Sequence, residues 1–596
     1  MRSFGQGFCF SYDRGMISSQ RLASAYECAR TALLAERTAE GWWIGELSAS
    51  ALSTATAVSA LALTGQHDHL VLDGLHWLSE HQNDDGGWGD TVKSFSNIST
   101  TMLCRAAFRL AGATDHLAQT VARAERFMAE RWGRTAAEQA EAIRKRYGMD
   151  RTFSVPILMN AALAGLVPWS EVPPLPFELA CLPQSWYRLA QLPVVSYALP
   201  ALIAIGQAIH YHRPLKGPIG VLRNLAIPRT LQVLARMQPA NGGYLEATPL
   251  TSFVVMALVC CGAHRRHEAA GQVVARGVEF LARSVRSDGS WPIDSNLSVW
   301  VTTLSVNALA AAGDLHALPQ REQVLEWILE QQETERHPFT GAEPGGWGWS
   351  HLPGSVPDAD DTSGALLAWS ALRSDSFDER WQRGADWLFG LQNRDGGMPT
   401  FCRGWGKLPF DRSGCDLTAH ALRIWSLLPS SDRRNRAISR AADYLARQQR
   451  PDGSWLPLWF GNQHTPDDEN PTYGTCRVLA AFRDLHQTHS ETARQGLRWL
   501  LTNQNDDGGW GGRRGAPSSV EETALAVEIL CDYAQSDRQA MQRGLLWLLD
   551  RVESGEWRHP VPIGFYFAKL WYFERLYPLI FTVAALGKAR HWISST

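Results

Sequence analysis

The stretch Trp499-Leu500-Leu501-Thr502-Asn503-Gln504-Asn505-Asp506-Asp507-Gly508-Gly509-Trp510 decides the fold, because its pattern returns along the chain. It reads as a helix end, a glutamine, a glycine pair and a tryptophan. Copies run from Gly74-Leu75-His76-Trp77-Leu78 through Gln82 to Gly86-Gly87-Trp88, and from Trp327-Ile328-Leu329 through Gln331 or Gln332 to Gly346-Trp347. Two more run from Trp387-Leu388 through Gln392 to Gly396-Gly397-Met398, and from Tyr444-Leu445 through Gln448 to Gly453-Ser454-Trp455. Degenerate copies end at Trp42, Tyr244, Trp291 and Trp557. Successive end points lie about 45 to 57 residues apart within each half, a period that fits one helix pair per unit. Between them apolar residues recur at helical spacing, as in Thr523-Ala524-Leu525-Ala526-Val527-Glu528-Ile529-Leu530. The glycine pair supplies the positive-φ turn that stops one helix. The glutamine and tryptophan tie that turn to the next helix by a hydrogen bond and a packed ring. A residue repeated in every unit serves what every unit needs, so these tryptophans are read as structural.

Helical hairpins that close on themselves form an α/α barrel, with the inner helices around a cavity. The repeats thin out between Trp88 and Tyr244, where proline-rich text such as Val172-Pro173-Pro174-Leu175-Pro176 intervenes. The expected fold class is all-α, with two α/α barrels that meet near Asp294 to Asn296, after the repeat ending at Trp291.

Composition narrows the function. At 596 residues the chain exceeds one ordinary core. A net charge of -3, from 57 basic and 60 acidic side chains, provides no field for nucleic acid. The 25 tryptophans need either a core or a ligand. Ten scattered cysteines without a Cys-x-x-Cys pair suit a reducing compartment and speak against a zinc ribbon or a disulfide framework. A cytoplasmic location is expected. The opening residues Met1 to Gly7 carry no apolar run of signal-peptide length, and nowhere do 18 uncharged apolar residues run together. No membrane span is expected, although the chain can still lie on a membrane surface.

Chemistry is concentrated in Pro357-Asp358-Ala359-Asp360-Asp361-Thr362, with three carboxyls in four positions, followed by the apolar run Ala365-Leu366-Leu367-Ala368-Trp369. Like charges this close cannot all ionise once water is removed, so one carboxyl keeps its proton if the site is buried. A retained proton makes a Brønsted acid. The plain alternative is a solvated loop that caps a helix through Asp361 or Thr362.

Taken together, the Gln…Gly-x-Trp repeats and the Asp-Ala-Asp-Asp-Thr motif resemble the squalene-hopene cyclase family of class II terpene cyclases over nearly the whole chain. The resemblance implies two α/α barrels and a monotopic membrane attachment. Residues 1–24 would return to pack on the C-terminal barrel, 25–295 would form the N-terminal barrel, and 296–596 would form the C-terminal barrel that carries the acid. It also implies proton-initiated cyclisation of a linear polyprenoid. Asp360, the middle aspartate, would be the acid, with Asp358 and Asp361 completing its hydrogen-bond network. His420, in Asp416-Leu417-Thr418-Ala419-His420, would stand behind Asp360 as a protonated partner oriented by Asp416. The growing cation needs a dry, aromatic cavity. By matching motif positions, its lining would include Trp349, Phe401, Trp459, Trp300 and Tyr473, with Phe253, Tyr566 and Phe567 in the same substrate-binding set. No metal and no cofactor is called for.

Departures from the family pattern lie at the terminating end of the cavity. Where the family carries an acidic segment after the second repeat, this chain reads Asn97-Ile98-Ser99-Thr100-Thr101-Met102, and the preceding helix Ala51-Leu52-Ser53-Thr54-Ala55-Thr56-Ala57 also lacks an acid. Thr248 stands before Pro249 where the family has glutamine, and Gln463 to Glu469 looks like an insertion. The expected substrate is a squalene-like triterpene or a polyprenylated aromatic, as in merosterol-type cyclases. One alternative is a diterpene cyclase acting on a prenyl diphosphate, against which stands the lack of an obvious basic cluster. Others are a prenyltransferase subunit with zinc at Cys415, Asp416 and His420, and a non-catalytic α/α scaffold. The partners expected are the hydrophobic substrate and a membrane surface, with a homodimer left open. Gly217 to Ile227, flanked by Lys216 and Arg229, is the expected membrane-contact segment.

Overall fold

A computed structural model describes residues 17–148, 150–183, 186–187, 196–373, 378–401, 403, 410–533, 537–564 and 569–594. Among them the secondary structure is helical, and strand pairing is limited to isolated bridges.

Two closed rings of inner helices organise the chain. In the N-terminal ring, Ala51–Thr64, Ile98–Leu110, Arg151–Leu163, Leu199–His212 and Thr248–Cys260 pack in that order, and the last returns to the first. In the C-terminal ring, Ser298–Ala311, Ala359–Leu372, Cys415–Leu427, Pro471–Asp484, Val520–Tyr533 and Tyr577–Ser594 close in the same way. Sequence explains which helices lie inside. Ala51 to Leu61 are consecutively buried, and a helix that is apolar or small all round has no face for water. The outer helices are amphipathic: Asp432–Gln448 buries Ala437, Ala441, Tyr444 and Leu445, a stripe at helical spacing, and turns its arginines outward.

The repeat turn fastens each outer helix to the next. Gln504 donates from Nε2 to Gly508 O at 2.7 Å and to Ala540 O at 2.8 Å, at the start of the following outer helix. Gln82, Gln238, Gln332 and Gln392 make the equivalent pair of bonds. Trp510 donates its indole N–H to Leu500 O and its backbone N–H to Thr523 Oγ1. Gly508 has φ +93°, and a Cβ there would meet Arg543 O, so both conformation and space call for glycine.

Two repeat assignments are corrected. In the Tyr444 copy it is Gln449, not Gln448, that bonds Gly453 O and Thr492 O. In the first copy Trp43, not Trp42, is the buried ring, donating to Leu33 O, while Trp42 stacks on Trp327 at 4.9 Å. Helix Ser19–Ala35 packs on Tyr577–Ser594 and Arg538–Ser554 as an outer helix of the C-terminal ring, so a division between residues 24 and 25 cuts through it. The backbone N–H of Trp43 also bonds Thr302 Oγ1 in that ring, at 3.0 Å.

Candidate active site

An ordinary repeat turn positions the acid motif. In each of several repeats, the backbone N–H of the terminal residue bonds a threonine one turn inside the next inner helix: Trp88 to Thr101, Trp291 to Thr54, Trp455 to Thr475 and Trp510 to Thr523. Thr362 is the equivalent residue, accepting from Trp347 N at 3.0 Å. Asp358 then falls at the helix N-cap, where Asn97 and Ser50 stand in their own repeats. Its Oδ1 accepts from Asp360 N and Asp361 N, both at 2.8 Å. Asp360 and Asp361 therefore sit in the first turn of a buried inner helix, so the caps of this fold hold two of the three carboxyls out of water.

Burial and the neighbouring Asp358 charge push Asp361 well above the ordinary aspartate range, so it keeps the proton of the Asp358–Asp361 pair. Burial also raises Asp358. Asp360 makes a different contact: its Oδ1 lies 2.7 Å from His420 Nδ1, on the adjacent inner helix Cys415–Leu427. Burial lowers the His420 pKa, the hydrogen bond to Asp360 opposes that, and Arg423 and Arg477 lower it further. Asp416 does not orient His420. Its two oxygens accept from Leu458 N at 2.9 Å and Trp459 N at 3.3 Å, which fixes the aromatic loop instead.

Asp360 borders two cavities. The first, about 250 Å³, is walled mainly by apolar and aromatic side chains from both rings, among them Trp300, Trp349, Phe401, Trp459 and Phe253. Phe401 lies 5.9 Å from Trp349, 6.3 Å from Trp459 and 4.9 Å from Phe410, giving a continuous aromatic wall beside the acid. The second cavity, about 390 Å³, is polar and lies behind His420 among Asp416, Arg423, Arg477, Asp484, Glu528 and Lys588. Burial works against the Asp484 charge, but Arg423 and Arg483 hold its pKa at about 2. Tyr473 borders this polar cavity, not the aromatic one, with Arg477 4.8 Å from its ring centre. Tyr566 and Phe567 lie outside the described residues.

Several wall residues were not legible in the sequence. Phe460 directly follows Trp459 and could have been included on adjacency alone. Phe410, Tyr197, Tyr147 and Tyr572 come from irregular or unrelated segments without a motif to mark them. One buried acid outside the acid motif was not singled out from the sequence. Asp90, in the turn before Asn97, is buried and accepts from Thr100 Oγ1, Asn97 Nδ2 and Trp571 N.

A carboxylic-acid motif that opens on an aromatic cavity, carried by two α/α rings, defines a class II terpene cyclase. Comparison with known proteins agrees. The squalene-hopene cyclase C-terminal domain family matches residues 296–591 and the squalene-hopene cyclase N-terminal domain family matches 27–198. The prenyltransferase alpha-alpha toroid domain matches 184–344. A squalene-hopene cyclase of Bradyrhizobium diazoefficiens is 24% identical over 96% of this chain and 95% of its own length. Enfumafungin synthase of Hormonema carpetanum is 26% identical over 89% of this chain, which spans 45% of that protein. Among solved structures, ent-copalyl diphosphate synthase from Streptomyces platensis shares the fold with a TM-score of 0.58, at 19% identity over 96% of this chain and 99% of that one. The chain belongs to the squalene-hopene cyclase family. It is a terpene cyclase acting by proton-initiated polycyclisation.

Proposed function

We propose that Asp360 protonates the terminal alkene of a linear polyprenoid, either a squalene-like triterpene or a polyprenylated aromatic, held in the aromatic cavity. The observation that carries this reading is the position of Asp360 on the boundary between an aromatic cavity and a polar one, with His420 at 2.7 Å on the polar side. His420 Nδ1–H donates to Asp360 Oδ1 and stabilises the carboxylate left after proton transfer. That donation does not need a charged imidazole, whose formation burial opposes. The positive potential comes instead from Arg477 and Arg423, which line the same polar cavity. The polar cavity then returns a proton to Asp360 after each cycle. Asp358 and Asp361 position the first turn of the acid helix and donate nothing to substrate.

Once formed, the cation faces Trp349, Phe401, Trp300 and Trp459, each ring face being worth about 0.5–2 kcal/mol to a desolvated cation. The predominance of apolar and aromatic side chains along this wall lets ring closure proceed before quenching. No Lys or Arg is found among the described residues of the aromatic cavity, which argues against a prenyl diphosphate. Substrate enters from a membrane leaflet through contact of helix Pro218–Met237. Its residues Ile219, Val221, Leu222 and Leu225 are 56 to 74% exposed, and they are supported by Leu215 and Tyr211. The test is to incubate purified protein with squalene and with polyprenylated phenols and to analyse products by mass spectrometry. Cyclised products that disappear with Asp360→Asn support the reading. A lack of cyclisation of either class overturns it.

A further inference from the structure

The aromatic cavity contains a fourth carboxyl away from the acid motif. Asp294 lies in the segment joining the two rings, retains accessible surface, and borders the cavity beside the Trp349 indole. One of its oxygens accepts from Ser295 N at 2.8 Å. Directly behind it, Glu246 is fully buried and accepts three hydrogen bonds, from Asn241 Nδ2 at 2.7 Å, Ser295 Oγ at 2.8 Å and Gly354 N at 2.7 Å. Burial raises Glu246 as well, but its three donors oppose that, so of the two carboxyls it is the better place for a negative charge. Asp294, next to it, has fewer donors: burial first, and the Glu246 charge second, raise it well above the ordinary aspartate range, against the opposing pull of Ser295 N and the Trp349 indole, and leave it a neutral acid.

Two tyrosine hydroxyls of this wall are already engaged within the protein. The Tyr147 hydroxyl pairs with Ser99 at 2.9 Å and the Tyr572 hydroxyl with Tyr577 at 3.1 Å. Asp294 is the carboxyl of this wall that stands apart from the acid motif, and in its neutral form it offers an O–H donor to the mainly apolar cavity. A pure hydrocarbon would cover that donor without satisfying it, and a buried unpaired donor discriminates strongly against a ligand lacking the matching acceptor. An anionic head group would meet the Glu246 charge immediately behind. A neutral oxygen, as in a hydroxyl, ether or carbonyl, satisfies the donor at no electrostatic cost.

We propose that Asp294 anchors a neutral oxygen atom of the substrate, making this enzyme selective for an oxygenated polyprenoid over a plain hydrocarbon of the same length. The inference rests on the cyclase reading and sharpens its substrate class. With one end of the chain fixed at Asp294, the alkene presented to Asp360 is set by the number of isoprene units between them, so Asp294 acts as a specificity and positioning residue and takes no part in proton transfer.

The experiment uses matched pairs of probes: geranylgeraniol with its hydrocarbon lacking the hydroxyl, and squalene with a terminally hydroxylated squalene. The wild-type enzyme is expected to prefer the oxygenated member of at least one pair by tenfold or more in kcat/KM. Asp294→Leu should bring that ratio close to one, chiefly through KM, whereas Asp294→Asn, which keeps a donor, should retain most of the preference. Binding of each pair to Asp360→Asn protein, followed by tryptophan fluorescence, reports the same discrimination without turnover and serves if the leucine variant folds poorly. Equal use of both members by the wild type, or a preference unchanged in Asp294→Leu, overturns the anchor and leaves the cyclase assignment standing. A wild-type enzyme that cyclises none of the four probes, with no binding to Asp360→Asn, overturns the cyclase reading and the anchor with it.

Discussion

His420 Nδ1 stands 2.7 Å from Asp360 Oδ1 across two adjacent inner helices, and the contact separates the aromatic cavity from the polar one. A carboxylic acid strong enough to protonate an alkene needs its conjugate base stabilised at the moment the proton leaves, and this hydrogen bond is placed to do so. Asp360→Asn keeps the shape and the hydrogen bond but has no acidic proton. It should lower turnover by about 10³-fold or more while thermal unfolding stays within a few degrees of wild type. His420→Ala removes only the stabilising partner and should cost about 10²-fold. Turnover by a folded Asp360→Asn protein, or an unchanged rate in His420→Ala, would remove these residues from the reaction.

Trp349 makes the clearest case for a cation-stabilising ring. It lies two residues beyond the structural Trp347, its carbonyl receives Val299 N and Trp300 N, and its ring borders the same cavity as Asp360. The backbone role is independent of the side chain, so Trp349→Ala should fold. Loss of about 0.5–2 kcal/mol of cation stabilisation predicts a rate reduced roughly 2- to 30-fold, with partly cyclised products. Trp349→Phe should restore most of the full-length product. A product profile unchanged in Trp349→Ala would assign the ring to packing alone.

Buried carboxyls give the protein a characteristic stability profile. Glu521 opens helix Val520–Tyr533, with its Oε1 accepting from Val561 N, and burial, then the neighbouring Glu522, raise its pKa to about 8. The folded pKa lies above the unfolded value, so the stabilisation associated with the retained proton is complete below about pH 4.5 and is lost as pH rises through about 8. The melting temperature should therefore fall between pH 5 and 8.5 more steeply in wild type than in Glu521→Gln, which carries no charge to bury. A Gln variant with an identical profile would mean that Glu521 ionises without cost in the folded protein.

Regular features were legible in the sequence, and the polar surroundings were not. The Gln–Gly–Trp spacing led directly to the hairpin rings, because each unit repeats the same hydrogen bonds and the same positive-φ glycine. The acid motif stood out as three carboxyls in four positions and His420 through the family resemblance; in the fold both lie on inner helices, two residues from the structural threonines Thr362 and Thr418. Asp416 was misassigned because proximity in sequence suggested His420, whereas the helix directs its carboxyl toward Leu458 and Trp459 on the following loop. Tyr473 matched an aromatic position, yet its helix turns it to the polar cavity. Asp294 stood in plain view at the expected junction of the rings. Its chemical meaning depends on Glu246, about 50 residues away in the chain and brought beside it only by the fold.

The surface of helix Pro218–Met237 tests how an insoluble substrate reaches that cavity. Leu225 is 74% exposed, Val221 60%, and Ile219 and Leu222 each 56%, while Arg223 on the opposite face is buried in an ion pair with Glu178 at 3.0 Å. The helix is thus held to the ring by one face and leaves the other apolar and bare, an arrangement costly in water and favourable at a lipid surface. Ile227 is only partly exposed and marks the edge of the patch. No helix among the described residues is long and apolar enough to cross a membrane, so any attachment through this patch is to one leaflet. Replacing Val221 and Leu225 by glutamate removes apolar contact and adds repulsion from anionic lipid. The double variant should leave vesicles of anionic phospholipid in a flotation assay, retain its unfolding temperature, and lose turnover of vesicle-embedded substrate while keeping turnover of detergent-solubilised substrate. A double variant that still floats with the vesicles would place the attachment elsewhere on the protein.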